Sequence, residues 1–120
     1  MTTKSSTPKR GEIWYVNLDP TVGAEIKKLR RCVVVSSDAV GILSLRLIAP
    51  ITGWKEHFKH SFWLVKIDPD GSNGLTKDSA VDTLQLRGVD LQRFVNRTGV
   101  ISSAKMEEIA VAVAGVVEYQ

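Results

Sequence analysis

A chain of 120 residues, 43% hydrophobic and 24% charged, fits one domain around one core, and none of its apolar runs nears the roughly 20 residues that cross a bilayer. The net charge of +3 is modest, and no apolar segment follows the first lysine as a secretion signal requires. The single cysteine, Cys32, excludes an internal disulfide, and with only His57 and His60 beside it falls short of a usual zinc ligand set.

Residues 1–8 are polar with nothing to bury and read as a disordered tail, leaving 9–120 as the domain. Glu12-Ile-Trp-Tyr-Val-Asn-Leu18 is rich in β-branched and aromatic side chains and predicts a first strand. Asp19-Pro20-Thr21-Val22-Gly23 ends it, since proline lacks a ladder N–H and glycine permits positive φ. A polar, basic connection to Arg30 follows. Cys32-Val-Val-Val-Ser36 then reads as a central strand buried on both faces, which makes Cys32 a small buried hydrophobe in a reducing cytoplasm rather than a reactive thiol. Ile42 to Ile51 predicts a third strand, 54–60 a polar loop, and Ser61 to Ile67 a fourth strand. Asp68 to Gly74 is dense turn chemistry, followed by a short strand near Ser79–Leu86 and a turn at Gly88-Val-Asp90. Asp90 can cap a one-turn helix at Leu91–Phe94, and Phe94–Val100 can add a last strand. Ser102 to Glu118 is the clear helix, capped by Ser102 or Ser103, with Met106, Ile109, Val113 and Val116 on one apolar stripe. Short strands followed by one terminal helix give an α+β, mainly β chain, a small antiparallel barrel.

The charge is unevenly placed. Residues 26–60 hold seven Lys/Arg (Lys27, Lys28, Arg30, Arg31, Arg46, Lys55, Lys59) against two acids, so this segment carries +5 and the rest of the chain −2. Such an excess is the footprint of a polyanion-binding surface, although solvated loops also collect lysines. Glycine-rich phosphate loops, paired-carboxylate metal sites and nucleophile elbows are absent, which favours chemistry without a metal or cofactor.

Four blocks in order carry a resemblance. Lys9-Arg-Gly-Glu-Ile-Trp-Tyr-Val-Asn-Leu-Asp-Pro-Thr-Val-Gly-Ala-Glu25 resembles the opening of the MazF/PemK toxins: Arg-Gly-Asp/Glu, a strand, an Asp-Pro-Thr turn, then Gly-Ser/Ala-Glu. Leu29-Arg30-Arg-Cys-Val-Val-Val-Ser-Ser-Asp38 is similar to the family's Arg-Pro strand, and Ile48-Ala-Pro-Ile-Thr52 to the segment closing on its functional threonine. Lys77-Asp-Ser-Ala-Val-Asp-Thr-Leu-Gln85-Leu-Arg87-Gly-Val-Asp90 resembles the Lys-Asp-Ser … Gln-Ile-Arg-Thr-Ile-Asp block. The departure is Arg31, where most members carry proline. Counting from Gly23-Ala-Glu25 puts Arg30 at the functional position, and strand alternation sends Arg31 to the other face.

The resemblance implies an SH3-like barrel of the CcdB/PemK type and the toxin of a toxin–antitoxin pair. It implies a homodimer that cuts single-stranded RNA, messenger RNA in particular, at sequence-specific sites and without a metal. Cleavage through the ribose 2′-hydroxyl would leave a cyclic phosphate and a 5′-hydroxyl, and a cognate antitoxin with an acidic C-terminal tail would silence it. Arg30 suits stabilisation of the phosphorane, because its guanidinium matches phosphate oxygens and stays charged; Thr52 can bond the scissile phosphate. Glu25 can orient Arg30, accept a base edge, act as base, or simply pair with an arginine. Lys27 and Lys28 suit phosphates, and Gln85 and Arg87 either touch RNA or hold the barrel. Trp54 can stack on a base or pack, and His57 and His60 invite an acid–base reading that matches no family block. The alternative is a non-enzymatic toxin like CcdB, which shares the fold and grips DNA gyrase.

Overall fold

The computed structural model describes residues 7–119, so most of the expected tail, residues 1–6, lies outside the described residues. Pro8 is buried, and its carbonyl accepts a hydrogen bond from Arg46 Nε at 3.0 Å. The described chain runs β1 (Glu12–Asn17), β2 (Leu29–Val34), β3 (Leu45–Gly53), β4 (Leu64–Ile67), β5 (Ser79–Asp82), β6 (Arg87–Asp90), β7 (Phe94–Val100) and α1 (Ser103–Val116). The strands form one seven-stranded sheet in the order β4-β5-β3-β2-β1-β7, with β6 also on β3. Every pairing is antiparallel.

Alternation along β1 and β2 divides the core in two. Ile13 and Val33 join Ala49, Ile51, Val65, Val81, Met106 and Ile109 on the face that α1 covers. Trp14, Val16, Cys32 and Val34 face the other way, against Ile48, Val89 and Phe94. Both faces of the central strands are thus buried, which is why Cys32-Val-Val-Val35 is continuously apolar. Trp14 anchors the second cluster, edge-on to Phe94 with ring centroids 5.7 Å apart, and its Nε1 donates to Glu12 Oε1 at 2.9 Å. The helix begins where Ser102 Oγ accepts from the Lys105 N–H at 3.2 Å, and it buries Met106, Ile109 and Ala112.

Several boundaries depart from the sequence reading. β2 starts at Leu29 rather than Cys32, because Leu29, Arg30 and Arg31 still pair with Asn17, Val16 and Tyr15 of β1. Backbone pairing does not stop where the apolar run stops. The loop at 54–60 contains a 3-10 turn over Glu56–His60, and the fourth strand starts at Leu64. The short strand after the turn ends at Asp82, whose side chain caps a 3-10 turn at Thr83–Gln85. The expected turn at 88–90 is instead part of β6, paired with Leu45 to Ile48. Asp90 does cap the short helical turn Leu91–Arg93, accepting from the Gln92 N–H at 2.8 Å.

One feature of this topology positions the site. β3 pairs with β2 from Ile48 to Pro50, then with β5 from Ile51 to Gly53. Pro50 has no N–H to offer a ladder, so the strand changes partner at the residue that cannot donate. Beyond the Cys32–Pro50 rung, β2 and β3 diverge into a fork.

Candidate active site

The two prongs of the fork carry Arg30 and Thr52. Residues on facing rungs share a face of the sheet, as do residues two apart. Cys32 faces Pro50, so Arg30 and Thr52 lie on the same face, two residues beyond the last shared rung. Arg30 is exposed and Thr52 half-buried, and both line a depression of about 220 Å³ with Tyr15, Arg31, Lys77 and Ser79. No carboxylate lines it. The structure therefore brings together two residues that stand 22 positions apart in the sequence.

Beside the fork lies a larger cavity of about 480 Å³, lined by Leu18, Glu25, Pro50, Gln85 and Arg87 among others. Its wall is the excursion between β1 and β2, which is tied down at several points. Lys28 closes the neck with φ of 70°, its N–H donating to Asp19 Oδ1 at 3.0 Å and its carbonyl accepting from Leu18. Arg93 Nη1 donates to the carbonyls of Asn17 and Asp19 at 3.0 and 2.7 Å, and Arg87 Nη1 to that of Leu18 at 3.1 Å. Gln85 Oε1 accepts from the Ile26 N–H at 2.6 Å, while its amide nitrogen donates to Asp82 Oδ2 at 3.2 Å. The backbone around residues 19–28 is thus held by side chains from the β5–β6–β7 part of the chain, even though most of its own side chains are exposed.

Glu25 lines the larger cavity, and its Oε1 accepts from the Val22 N–H at 2.7 Å, which tightens the turn that presents it. Among the described residues it forms no ion pair with Arg30. Gln85 is engaged with the loop it supports, and Arg87 with Leu18, so both hold backbone while lining the cavity. Lys27 and Lys28 are exposed on the excursion and line neither cavity. His57 and His60 sit exposed on the 3-10 turn, also outside both cavities. Trp54 packs, edge-on to Phe58 at 5.7 Å with Lys66 Nζ 5.4 Å from its ring centre. Arg46, counted in the basic segment, is buried and spends its guanidinium on backbone carbonyls.

Lys77 is the residue that sequence reasoning passed over. Its ammonium lies over Gly53, 3.6 Å from where a Cβ would stand, beside Thr52 and inside the smaller depression. Its place in the Lys-Asp-Ser block was the available signal, but only the Gly53–Ser79 rung of β3 and β5 brings that block to the fork. Burial pushes the Cys32 thiol up to about 12, against the opposing pull of Arg87 and Arg30, so it stays protonated beside the site. Among the described residues, no three His, Cys, Asp or Glu side chains gather as metal ligands would.

Residues 9–117 match the family model of the PemK-like, MazF-like toxins of type II toxin–antitoxin systems. The chain belongs to this family. It is 28% identical over 107 residues to the endoribonuclease MazF9 of Mycobacterium tuberculosis, covering 84% of this chain and 88% of that one. It is 29% identical over 90 residues to the endoribonuclease PemK of Escherichia coli, covering 74% of this chain and 65% of the relative. Among solved structures, a mycobacterial endoribonuclease in complex with its cognate antitoxin superposes with a TM-score of 0.74 at 17% identity, covering 94% of this chain and 97% of that one. The PemK/MazF fold is therefore the fold of this chain, a mostly antiparallel seven-stranded sheet with one C-terminal helix. No helix among the described residues is long and apolar enough to cross a membrane.

Proposed function

We propose that this PemK/MazF family member is the toxin of a toxin–antitoxin pair and an endoribonuclease that cuts single-stranded RNA at the β2–β3 fork. The observation that carries this reading is the meeting of Arg30 and Thr52 in one carboxylate-free depression. The ribose 2′-oxygen attacks phosphorus, the bond to the 5′-oxygen breaks, and the products are a 2′,3′-cyclic phosphate and a 5′-hydroxyl. The 2′-oxygen loses its proton as it attacks, and the leaving 5′-oxygen takes one up. Negative charge builds on the non-bridging oxygens in between, where the exposed Arg30 guanidinium offers bidentate donors without having to break an existing ion pair. Thr52 Oγ1 donates to the same phosphate and fixes its orientation for in-line displacement.

The larger cavity beside the fork suits a nucleobase. Its apolar wall is Leu18, Ile26, Pro50 and Leu86, and its polar groups are Glu25, Gln85 and Arg87. Glu25 Oε2 has no partner among the described residues and can accept from a base edge, while Gln85 keeps the wall in place. Lys27 and Lys28, exposed on the excursion, track flanking phosphates. The cognate antitoxin is read as an acidic segment laid across this cationic surface, the assembly as a homodimer, messenger RNA as the target, and the cytoplasm as the setting.

The test is incubation of purified protein with long single-stranded RNA in EDTA, with the new ends sequenced and their chemistry assigned. Cleavage at a recurring short word, leaving cyclic phosphate and 5′-hydroxyl ends and lost on Arg30→Ala, is expected. Intact RNA, or cleavage unaffected by Arg30→Ala, would overturn the proposal. The gyrase-binding alternative gains nothing from an arginine and a threonine gathered at a fork. Recovery of gyrase with the protein while RNA stays intact would favour it.

A further inference from the structure

Arg31 stands where most family members carry proline, and its surroundings give it work of its own. It is the rung partner of Tyr15, so the two side chains share a face, and its guanidinium carbon sits 5.3 Å from the centre of the Tyr15 ring. That contact with the ring restricts where the guanidinium can lie. Its Nε is buried and has no hydrogen-bond partner among the described residues. No side-chain hydrogen bond or ion pair engages its terminal nitrogens among the described residues either, and these, on the rim of the depression, are the donors left for an acceptor from outside the chain.

A further cation on the same depression is Lys77, whose ammonium lies over Gly53. Arg31 and Lys77 thus line, with the Ser79 backbone or hydroxyl, the part of the depression away from the Arg30–Thr52 face. Parity makes this division. Tyr15, Arg31 and Ile51 alternate to one side of the fork, and Arg30 and Thr52 to the other. We infer that Arg31 and Lys77 form a second phosphate clamp, which holds the phosphodiester next to the scissile one as the RNA passes through the fork. A planar five-donor fork beside a point charge, with no carboxylate lining the site, suits a phosphodiester better than an apolar or cationic ligand. The inference rests on the proposed RNA cleavage at Arg30 and Thr52 and adds the part of the strand that those two residues do not hold.

A positioning clamp acts on binding and register, and a merely structural arginine acts on stability. Arg31→Gln, Lys77→Gln and the conservative Arg31→Lys are compared with wild type on one cleavable oligonucleotide, over a range of salt. A matched oligonucleotide carries an uncharged methylphosphonate at the linkage adjoining the cut. Each Gln variant is expected to raise KM about tenfold with kcat within about twofold, and to flatten the slope of log affinity against log salt by about 0.7, one single-strand phosphate contact. Arg31→Lys should recover most of the affinity. The methylphosphonate should weaken wild type by the same factor and leave Arg31→Gln nearly indifferent. Wild-type cleavage with an unchanged salt slope in both Gln variants would overturn the clamp while leaving the cleavage reading intact. So would a methylphosphonate penalty equally large in Arg31→Gln. Loss of inhibition by a glutamate-rich peptide with RNA cleavage unchanged would assign the two cations to an acidic protein segment and overturn it as well. If wild type fails to cut at all, the cleavage reading falls, and the clamp falls with it.

Discussion

Arg46 and Arg30 lie in the same basic stretch, yet the fold puts them to opposite uses. Arg46 is buried at the start of β3, where Nε donates to Pro8 at 3.0 Å and Nη1 to Leu43 and Leu45 at 2.9 and 2.8 Å; Nη2 reaches Gly41 at 3.4 Å. Every acceptor is a backbone carbonyl, so this guanidinium serves as a bracket that ties the chain before β1 to the entry of β3. Arg30 is exposed at the diverging end of β2, and no side-chain hydrogen bond or ion pair engages it among the described residues. A cation is available for a ligand only if its donors have not already been spent. Positive charge counted along the sequence cannot make that distinction, and a hydrogen-bond census can.

The contrast breaks if the two substitutions behave alike. Arg30→Ala should lower kcat by about 10²–10³-fold, the scale on which a single transition-state donor acts. The thermal midpoint should stay within about 1 °C, as expected for an exposed side chain with no partners to strand. Arg46→Met should do the reverse. It leaves several carbonyls without their donor, some of them reachable by water, and should lower the unfolding free energy by about 2 kcal/mol in a denaturant titration. Specific activity per folded molecule should be unchanged. A loss of kcat in folded Arg46→Met as large as in Arg30→Ala would show that the bracket and the catalytic cation are not separate.

A third comparison sets the loop wall against the fork. Gln85→Leu removes the acceptor of the Ile26 N–H and the donor to Asp82, so the excursion between β1 and β2 loses one of its tethers. KM should rise about fivefold and stability fall by about 1 kcal/mol, with kcat little changed. Hydrogen exchange at the Ile26 amide should quicken relative to amides within β1 and β2. Unchanged exchange there would mean that the other tethers, Arg87 and Arg93, suffice to hold the wall.

Most of the barrel was legible in the sequence because most of its strands write their own local pattern. The apolar run at Cys32–Val35 and the stripe Met106, Ile109 reveal which faces are buried, and Asp90 and Ser102 mark their helical turns. β6 was not legible, because Arg87-Gly88-Val89-Asp90 has a turn's composition and becomes a strand only by pairing with Leu45 to Ile48. The 3-10 turn at Glu56–His60 likewise forms in a segment too polar and short to announce it. Arg30 and Thr52 were found through the family blocks, and the structure adds that the strands bearing them diverge beyond the Cys32–Pro50 rung. Lys77 and the packing of Arg31 on Tyr15 depend on rungs between distant segments, which no local pattern encodes.

The smallest effect concerns Asp82, which supports the wall at one remove. Its carboxylate accepts from the Leu84 N–H at 3.1 Å through Oδ1 and from Gln85 Nε2 at 3.2 Å through Oδ2. Burial outweighs both hydrogen bonds and raises its pKa above the usual 3.8. A raised acid pKa means that the folded protein keeps this proton to higher pH than the unfolded chain does. The associated stability is therefore fully present below pH 3.8 and is lost as pH rises through the raised value. Asp82→Asn removes that titration while retaining an oxygen for Leu84. The stability of wild type relative to the variant should fall as pH climbs above 3.8 and then level off, with a slope never steeper than one proton. KM should rise modestly as well, because an amide at position 82 offers Gln85 a donor where it needs an acceptor, and the Ile26 tether loosens. A stability difference that stays flat above pH 3.8, with KM unchanged, would remove Asp82 from the chain of contacts that leads from β5 to the wall of the cavity.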